Sequence, residues 1–208
     1  MIIGNYQIKN NPSATKFSFK MAEDFIPTNL NNFKSFFINK EKELINKYSN
    51  GFDGNTGLGK NSITSRYSKY NLLNFPEMFF LKNIIKQKHD EFVKQIKSEV
   101  PINFYIQCWF NVMRKGDQIK KHHHSGPQTH CFISGNICVN TENSYTYYDP
   151  PFFNKVIKTQ NINNKVTLFP SWLEHYTDEV KHDYDRITIG FDINYEVIPE
   201  QGVWVKLD

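Results

Sequence analysis

No stretch of the chain approaches the roughly 18 consecutive apolar residues of a membrane-spanning helix, and no membrane partner is expected. Cysteine is scarce: Cys108, Cys131 and Cys138 are an odd set without a Cys-x-x-Cys pair. They cannot all pair with one another, so they read as reduced strand residues. The start, Met1-Ile2-Ile3-Gly4-Asn5-Tyr6, has neither the basic n-region nor the long apolar h-region of a secretory signal. A cytoplasmic location is the expectation. Internal repeats and low-complexity linkers are also missing. The 208 residues (24.6 kDa) are therefore read as a single domain, 1–208, large enough to bury a proper core.

What is present points to a folded globule: 15% aromatic and 39% hydrophobic residues are too many for a disordered chain. The net charge of +4 and pI near 8.8 raise the question of nucleic acid, because clustered cations bind phosphates by releasing counterions. Here the lysines are spread over helices and turns, with only short groups such as Lys82, Lys86 and Lys88. A solvated surface is the reading preferred, nucleic acid is left as the lesser alternative, and weak steering of anionic substrates stays open.

The first hundred residues read as largely helical support. Leu30, Phe33, Phe37, Leu44 and Tyr48 recur at helical spacing between residues 28 and 50, with Thr28 or Asn29 as N-cap and Gly51 as the stop. The glycine-rich run 51–59 lacks Gly-Lys-Ser/Thr and a preceding apolar strand, so it reads as a lid or connector rather than a phosphate cradle. Pro76 opens a second helix whose stripe is Leu81, Ile84, Ile85, Phe92, Val93 and Ile96, ending before Pro101.

Beyond residue 101 the period changes to two. Ile102, Phe104, Ile106, Cys108, Phe110 and Val112 alternate with Asn103, Tyr105, Gln107, Trp109 and Asn111, a strand with one apolar and one polar, aromatic face. Further strand candidates are 131–139, 144–148, 155–158, 165–169, 186–193 and 203–206. Short strands separated by turns, preceded by helices, predict a mainly β sandwich or barrel with helices packed outside it. In the 186–193 strand, Ile187, Ile189, Phe191 and Ile193 share one face; Arg186, Thr188, Gly190 and Asp192 share the other. An arginine inside a barrel needs an anion to offset its desolvation, and a small dicarboxylate would satisfy it by a charge-assisted pair.

The histidines carry the chemistry. His122 and His124 form a His-x-His pair, followed at a distance by Phe169-Pro170-Ser171-Trp172-Leu173-Glu174-His175 and then Arg186. Neutral imidazole is the commonest protein metal ligand, so a metal site is the first hypothesis. His123 should point away from its neighbours. His130 is an alternative ligand, whereas His89 and His182 read as surface residues, and Trp109 and Trp172 as plain core aromatics. The segment 61–67 reads as a surface loop, with Arg66 available to an acidic substrate.

The stretch 109–117, His122-x-His124, Ser134-Gly135, Asp149-Pro150, Leu168-Phe169-Pro170-Ser171-Trp172-Leu173-x-His175 and Arg186-Ile187-Thr188 together resemble the iron(II)- and 2-oxoglutarate-dependent oxygenases. Specifically, they resemble a small group found in phage and marine bacterial genomes, and the resemblance covers roughly the C-terminal half of the chain. It implies a double-stranded β-helix, a cupin-like jelly roll at 101–208, with the N-terminal helices of 1–100 packed on one sheet. It implies His122 as the first metal ligand, His175 as the distal one, and His124 where the wider superfamily has Asp or Glu. Three-His iron sites occur among related cupin-like oxygenases, but a third imidazole leaves the site one unit more positive than a carboxylate would. By the same resemblance Arg186 holds the far carboxylate of 2-oxoglutarate with help from Thr188. Tyr105, Gln107 and Asn111 are candidates to touch the cosubstrate or substrate. The longer segment between His124 and Ser134 is a second departure, expected to form a lip over the entrance.

The implied cofactors are Fe(II), 2-oxoglutarate and molecular oxygen, with release of succinate and carbon dioxide from an unidentified small-molecule or protein side-chain substrate. Oligomeric state is not legible. The alternatives are a three-His oxygenase that uses no 2-oxoglutarate, and a non-catalytic metal-containing β-barrel that binds a sugar, peptide or nucleic acid.

Overall fold

The computed structural model describes residues 1–7, 18–47, 58, 62–66, 71–97, 99, 104–125, 131–151, 153–195 and 204–207. Gly51, the glycine-rich run apart from Leu58, and His130 lie outside the described residues. In chain order the elements are β1 (Ile2–Gln7), β2 (Ser18–Phe25), α1 (Lys34–Lys47), β3 (Ile63–Thr64), α2 (Phe79–Ile96), β4 (Phe104–Met113), β5 (Cys131–Asn140), β6 (Ser144–Asp149), β7 (Ile157–Asn161), β8 (Lys165–Pro170), β9 (Glu174–Thr177), β10 (Arg186–Asn194) and β11 (Val205–Leu207).

Both expected helices form, each preceded by a tighter 3-10 turn, at Leu30–Phe33 and Pro76–Met78. Asn29, not Thr28, is the cap: its side chain accepts from the Asn31 N–H at 3.2 Å. The α2 helix ends on Lys97 in the left-handed region (φ 54°), whose N–H bonds back to Lys94 and Val93.

The strands make two antiparallel sheets. The larger runs β1-β2-β8-β5-β10-β4-β11, with β3 also paired to β4; the smaller runs β7-β6-β9. Strands β1, β2, β3 and β9 were not anticipated, β3 falling in the segment read as a surface loop. In β2 the alternation of Phe19 and Met21 with Lys20 and Ala22 is cut short by Glu23 and Asp24, which hides it in the sequence. Those acids are used structurally: Asp24 pairs with Lys88 of α2 at 2.8 Å and Glu23 with Lys165 at 3.1 Å.

Side-chain alternation then decides which face does what. Phe104, Ile106, Cys108, Phe110 and Val112 of β4 join Ile187, Ile189, Phe191 and Ile193 of β10 in the main core, which Phe37, Leu44, Leu81, Ile85 and Phe92 of the two helices cover. The opposite face of the large sheet meets the small sheet, where Phe19, Met21, Tyr148, Phe169 and Leu173 form a second core. The result is a mainly β jelly roll with helices on the outside of one sheet. His89 departs from the surface reading: it is fully buried in α2, and its Nε2 lies 2.6 Å from the Tyr195 hydroxyl.

Candidate metal centre

The polar face of β4 and β10 lines a cavity between the two sheets. Trp109 and Asn111 reach it from β4, Arg186, Thr188 and Gly190 from β10, Asn136 from β5, Thr146 from β6, and His175 and Thr177 from β9. His122 and His124 complete the wall from the segment before β5.

Backbone pairing brings the three histidines together. His122 N–H donates to the His175 carbonyl at 3.1 Å, and His175 N–H returns the bond to His122 at 2.9 Å. His124 N–H donates to the Ser171 carbonyl at 2.9 Å. One ring nitrogen from each of His122, His124 and His175 then lies within 4.8 Å of the others. Ring centroids are separated by 4.3 Å (His122 and His175), 5.0 Å (His124 and His175) and 5.1 Å (His122 and His124).

The opposite ring nitrogens are all engaged. Nδ1 of His122 donates to the Lys120 carbonyl at 2.8 Å, and Nδ1 of His175 to the Leu173 carbonyl at 3.0 Å. Nδ1 of His124 lies 2.6 Å from Asp192 Oδ1. Such acceptors fix the tautomer and leave Nε2 with its lone pair, the form in which histidine binds metal. Burial holds all three below the usual histidine range, His122 at about 4. The imidazoles are thus neutral at pH 7, as ligation requires.

Arg186 lies across the cavity and is 1% exposed. Its Nε approaches Ser144 Oγ at 3.4 Å and its Nη1 the Met113 sulfur at 3.0 Å. No carboxylate among the described residues pairs with it. A buried guanidinium in that state carries a desolvation cost that no ion pair offsets. Thr188 stands beside it, accepting from Asn111 Nδ2 at 3.3 Å, and Asn136 Oδ1 is a buried acceptor on the same wall without a partner among the described residues.

Of the expected cosubstrate contacts, Asn111 and Thr188 line the cavity, and Tyr105 and Gln107 do not. Tyr105 sits towards the β4 end paired with Asn194 and Lys206, and Gln107 donates to the Arg66 carbonyl at 3.1 Å. His123 is exposed. Arg66 and Trp109 were undervalued by the sequence reading. Arg66 is not on a surface loop: its side chain is 12% exposed, Nη2 forms an ion pair with Asp192 Oδ2 at 2.6 Å, and the guanidinium lies 4.2 Å over Trp109, which itself lines the cavity. Asp192 shares its strand face with Arg186, the one signal that could have placed it here.

No protein-family model matches the sequence, and no curated protein matches it. Solved structures match by shape. A Pseudomonas putida prolyl-4-hydroxylase superposes with a TM-score of 0.59 at 8% identity, over 85% of this chain and 93% of that one. The viral collagen prolyl hydroxylase of Paramecium bursaria Chlorella virus-1, solved with 2-oxoglutarate, gives 0.53 at 13% identity, over 83% and 94%. HygX of Streptomyces hygroscopicus, solved with nickel, 2-oxoglutarate and hygromycin B, gives 0.51 at 10% identity, over 85% and 82%. With a histidine cluster in the cavity between its sheets, the chain has the jelly-roll fold of the 2OG-Fe(II) oxygenases that its sequence resembles.

Proposed function

We propose that this chain is a 2-oxoglutarate-dependent non-heme iron dioxygenase, oxidising a small molecule or a protein side chain with release of succinate and carbon dioxide. One observation carries the reading: three imidazoles with fixed Nδ1 protons converge in the same cavity as a buried arginine that no carboxylate among the described residues neutralises. His122, His124 and His175 would hold Fe(II). The donor set fits, because three neutral imidazoles suit iron and leave coordination positions free. Bound there, the metal would supply activation of molecular oxygen coupled to decarboxylation of the 2-oxo acid.

The chain's own residues do the rest. Arg186 fixes the far carboxylate of 2-oxoglutarate by a charge-assisted pair, and Thr188, held by Asn111, offers its hydroxyl to the same group. Phe169, Ile119 and Leu58 give the cavity apolar walls that limit water. The 2-oxoglutarate seen in the viral hydroxylase and in HygX supports the same cosubstrate here.

The decisive experiment loads purified protein with Fe(II) and measures 2-oxoglutarate binding and succinate release, with and without candidate substrates. The reading fails if the loaded protein neither binds nor decarboxylates 2-oxoglutarate. The imidazole of His124 in place of a carboxylate favours, as a second reading, a three-His oxygenase without 2-oxoglutarate. Arg186→Gln separates the two, since only the first loses cosubstrate affinity.

A further inference from the structure

Asp192 is fully buried behind the histidine cluster and directly contacts one of the three imidazoles. Its Oδ1 lies 2.6 Å from His124 Nδ1 and accepts from Ser134 Oγ at 2.6 Å; its Oδ2 is ion-paired with Arg66 Nη2 at 2.6 Å. Ion-paired with Arg66, the carboxylate is ionised and can only accept, so the proton of the His124 ring must sit on Nδ1. Arg66 Nη1 also lies 3.2 Å from that nitrogen, but two donors make no hydrogen bond, so the guanidinium's ionic partner here is Asp192. Arg66 is itself pinned on the Trp109 ring.

The other two histidines are held differently. Their Nδ1 atoms face neutral backbone carbonyls, of Lys120 and Leu173. Among the described residues only His124 of the three has an ionic partner, and His124 is the residue standing where a carboxylate ligand would otherwise be. A carboxylate bound to the far side of a ligating imidazole raises that ligand's basicity as well as fixing its orientation.

We infer that Asp192 is a positioning residue that supplies, one imidazole away, the negative charge missing from a three-histidine metal site. Arg66 and Ser134 hold the carboxylate at the back of His124 and keep it from turning to the metal itself. This rests on the metal-binding reading of the histidine triad proposed above.

Anaerobic titration of the metal-free full chain with Co(II) and with Fe(II), followed by calorimetry and by the Co(II) absorption bands, tests it. Asp192→Asn keeps size and an acceptor oxygen but removes the charge, and is expected to weaken metal binding by about 10- to 100-fold. Ser134→Ala, which removes a neutral donor to the same carboxylate, should change it by less than about 3-fold, a small fraction of that loss. In a His124→Asp background the sign reverses: two carboxylates then face each other, and adding Asp192→Asn should strengthen metal binding. Histidine 15N spectra of the metal-free wild type give a further readout that needs no variant to fold, with His124 expected as the Nδ1–H tautomer. An Nε2–H tautomer, or an Asp192→Asn protein that binds as tightly as wild type, overturns the inference. A wild-type protein that binds neither metal defeats instead the triad reading on which it rests.

Discussion

Gly190 of β10 lies directly beneath the indole of Trp109 on β4. A β-carbon at position 190 would come within 2.6 Å of Cε2 and Cζ2 and 2.8 Å of Nε1, and the two residues are register partners in the sheet. The ring cannot yield freely, because Arg66 is stacked on it at 4.2 Å and His124 stands beside it at 5.5 Å. Gly190→Ala is expected to cost about 1–3 kcal/mol by overpacking, read as a lower urea midpoint. It should also weaken metal binding, because the displaced indole carries Arg66 away from Asp192. An unchanged midpoint with native metal affinity would mean that the ring moves aside without consequence.

Arg186 should behave in opposite ways towards ligand and fold. Truncating one partner of a buried charge pair costs about 2–5 kcal/mol, so Arg186→Met is expected to lower 2-oxoglutarate affinity at least about 30-fold. Calorimetric titration of the Ni(II)-loaded protein measures it. Without ligand, the same change removes a desolvated charge that has no carboxylate partner among the described residues. The melting temperature of the ligand-free variant should therefore hold or rise. Unchanged cosubstrate affinity would remove Arg186 from the site.

These two residues also mark how far the sequence could be read. Arg186 and Thr188 were legible because a strand with period two sorts its residues onto faces, and one face of β10 is uniformly apolar. The histidines were legible for a similar reason: few arrangements other than a metal site bring a His-x-His pair and a distant histidine before an arginine strand. Asp192 and Arg66 were not. Asp192 lies on the legible face, but its role depends on which side of His124 it reaches, and that is set by the pairing of β5 with β10. Arg66 lies in the turn two residues after β3, whose docking on β4 is a long-range contact with no periodic signature. Tyr105 shows the converse limit, since sharing a face with Asn111 does not place it at the same depth along the strand.

His175→Ala is expected to abolish stoichiometric metal binding while the fold survives. Both hydrogen bonds linking residue 175 to His122 are backbone bonds, which alanine retains. Metal analysis after dialysis against Fe(II), alongside far-UV circular dichroism, separates the two effects. Full iron content in that variant would dismantle the triad.

Acid should weaken the metal-free protein through the same residues. Burial pushes His122 down to about 4, and His124 and His175 are also held below the ordinary value of 6.5. A folded-state histidine with a depressed pKa stays neutral while its unfolded counterpart takes up a proton, so between pH 6.5 and about 4 the unfolded state binds more protons. Stability contributed by neutral burial is thus fully present above pH 6.5 and is lost as pH falls through that window. Thermal melts from pH 7.5 to 4.5 should show a steady decline, and His122→Gln should flatten part of it. A pH-independent melting temperature across that range would contradict the neutral, buried state of these rings.

Asn164 ties the helical layer to the sheets through a conformation that few residues adopt. Its φ is +67°, its side-chain oxygen accepts from the Leu30 N–H at 2.9 Å, and its carbonyl accepts from Ile26 N–H at 2.9 Å. Two substitutions separate the contributions. Asn164→Gly keeps the left-handed backbone but loses the side-chain acceptor, a net loss of about 0.5–1.5 kcal/mol, with some added cost for the donor left behind. Asn164→Ala loses the same acceptor and adds about 1–2 kcal/mol of left-handed strain. The order of urea midpoints should therefore be wild type, then glycine, then alanine. Because Leu30 opens the turn that leads into α1, hydrogen exchange should rise first in that helix. An alanine variant as stable as the glycine one would show that the left-handed backbone relaxes, leaving the side-chain bond to Leu30 as the whole of the tie.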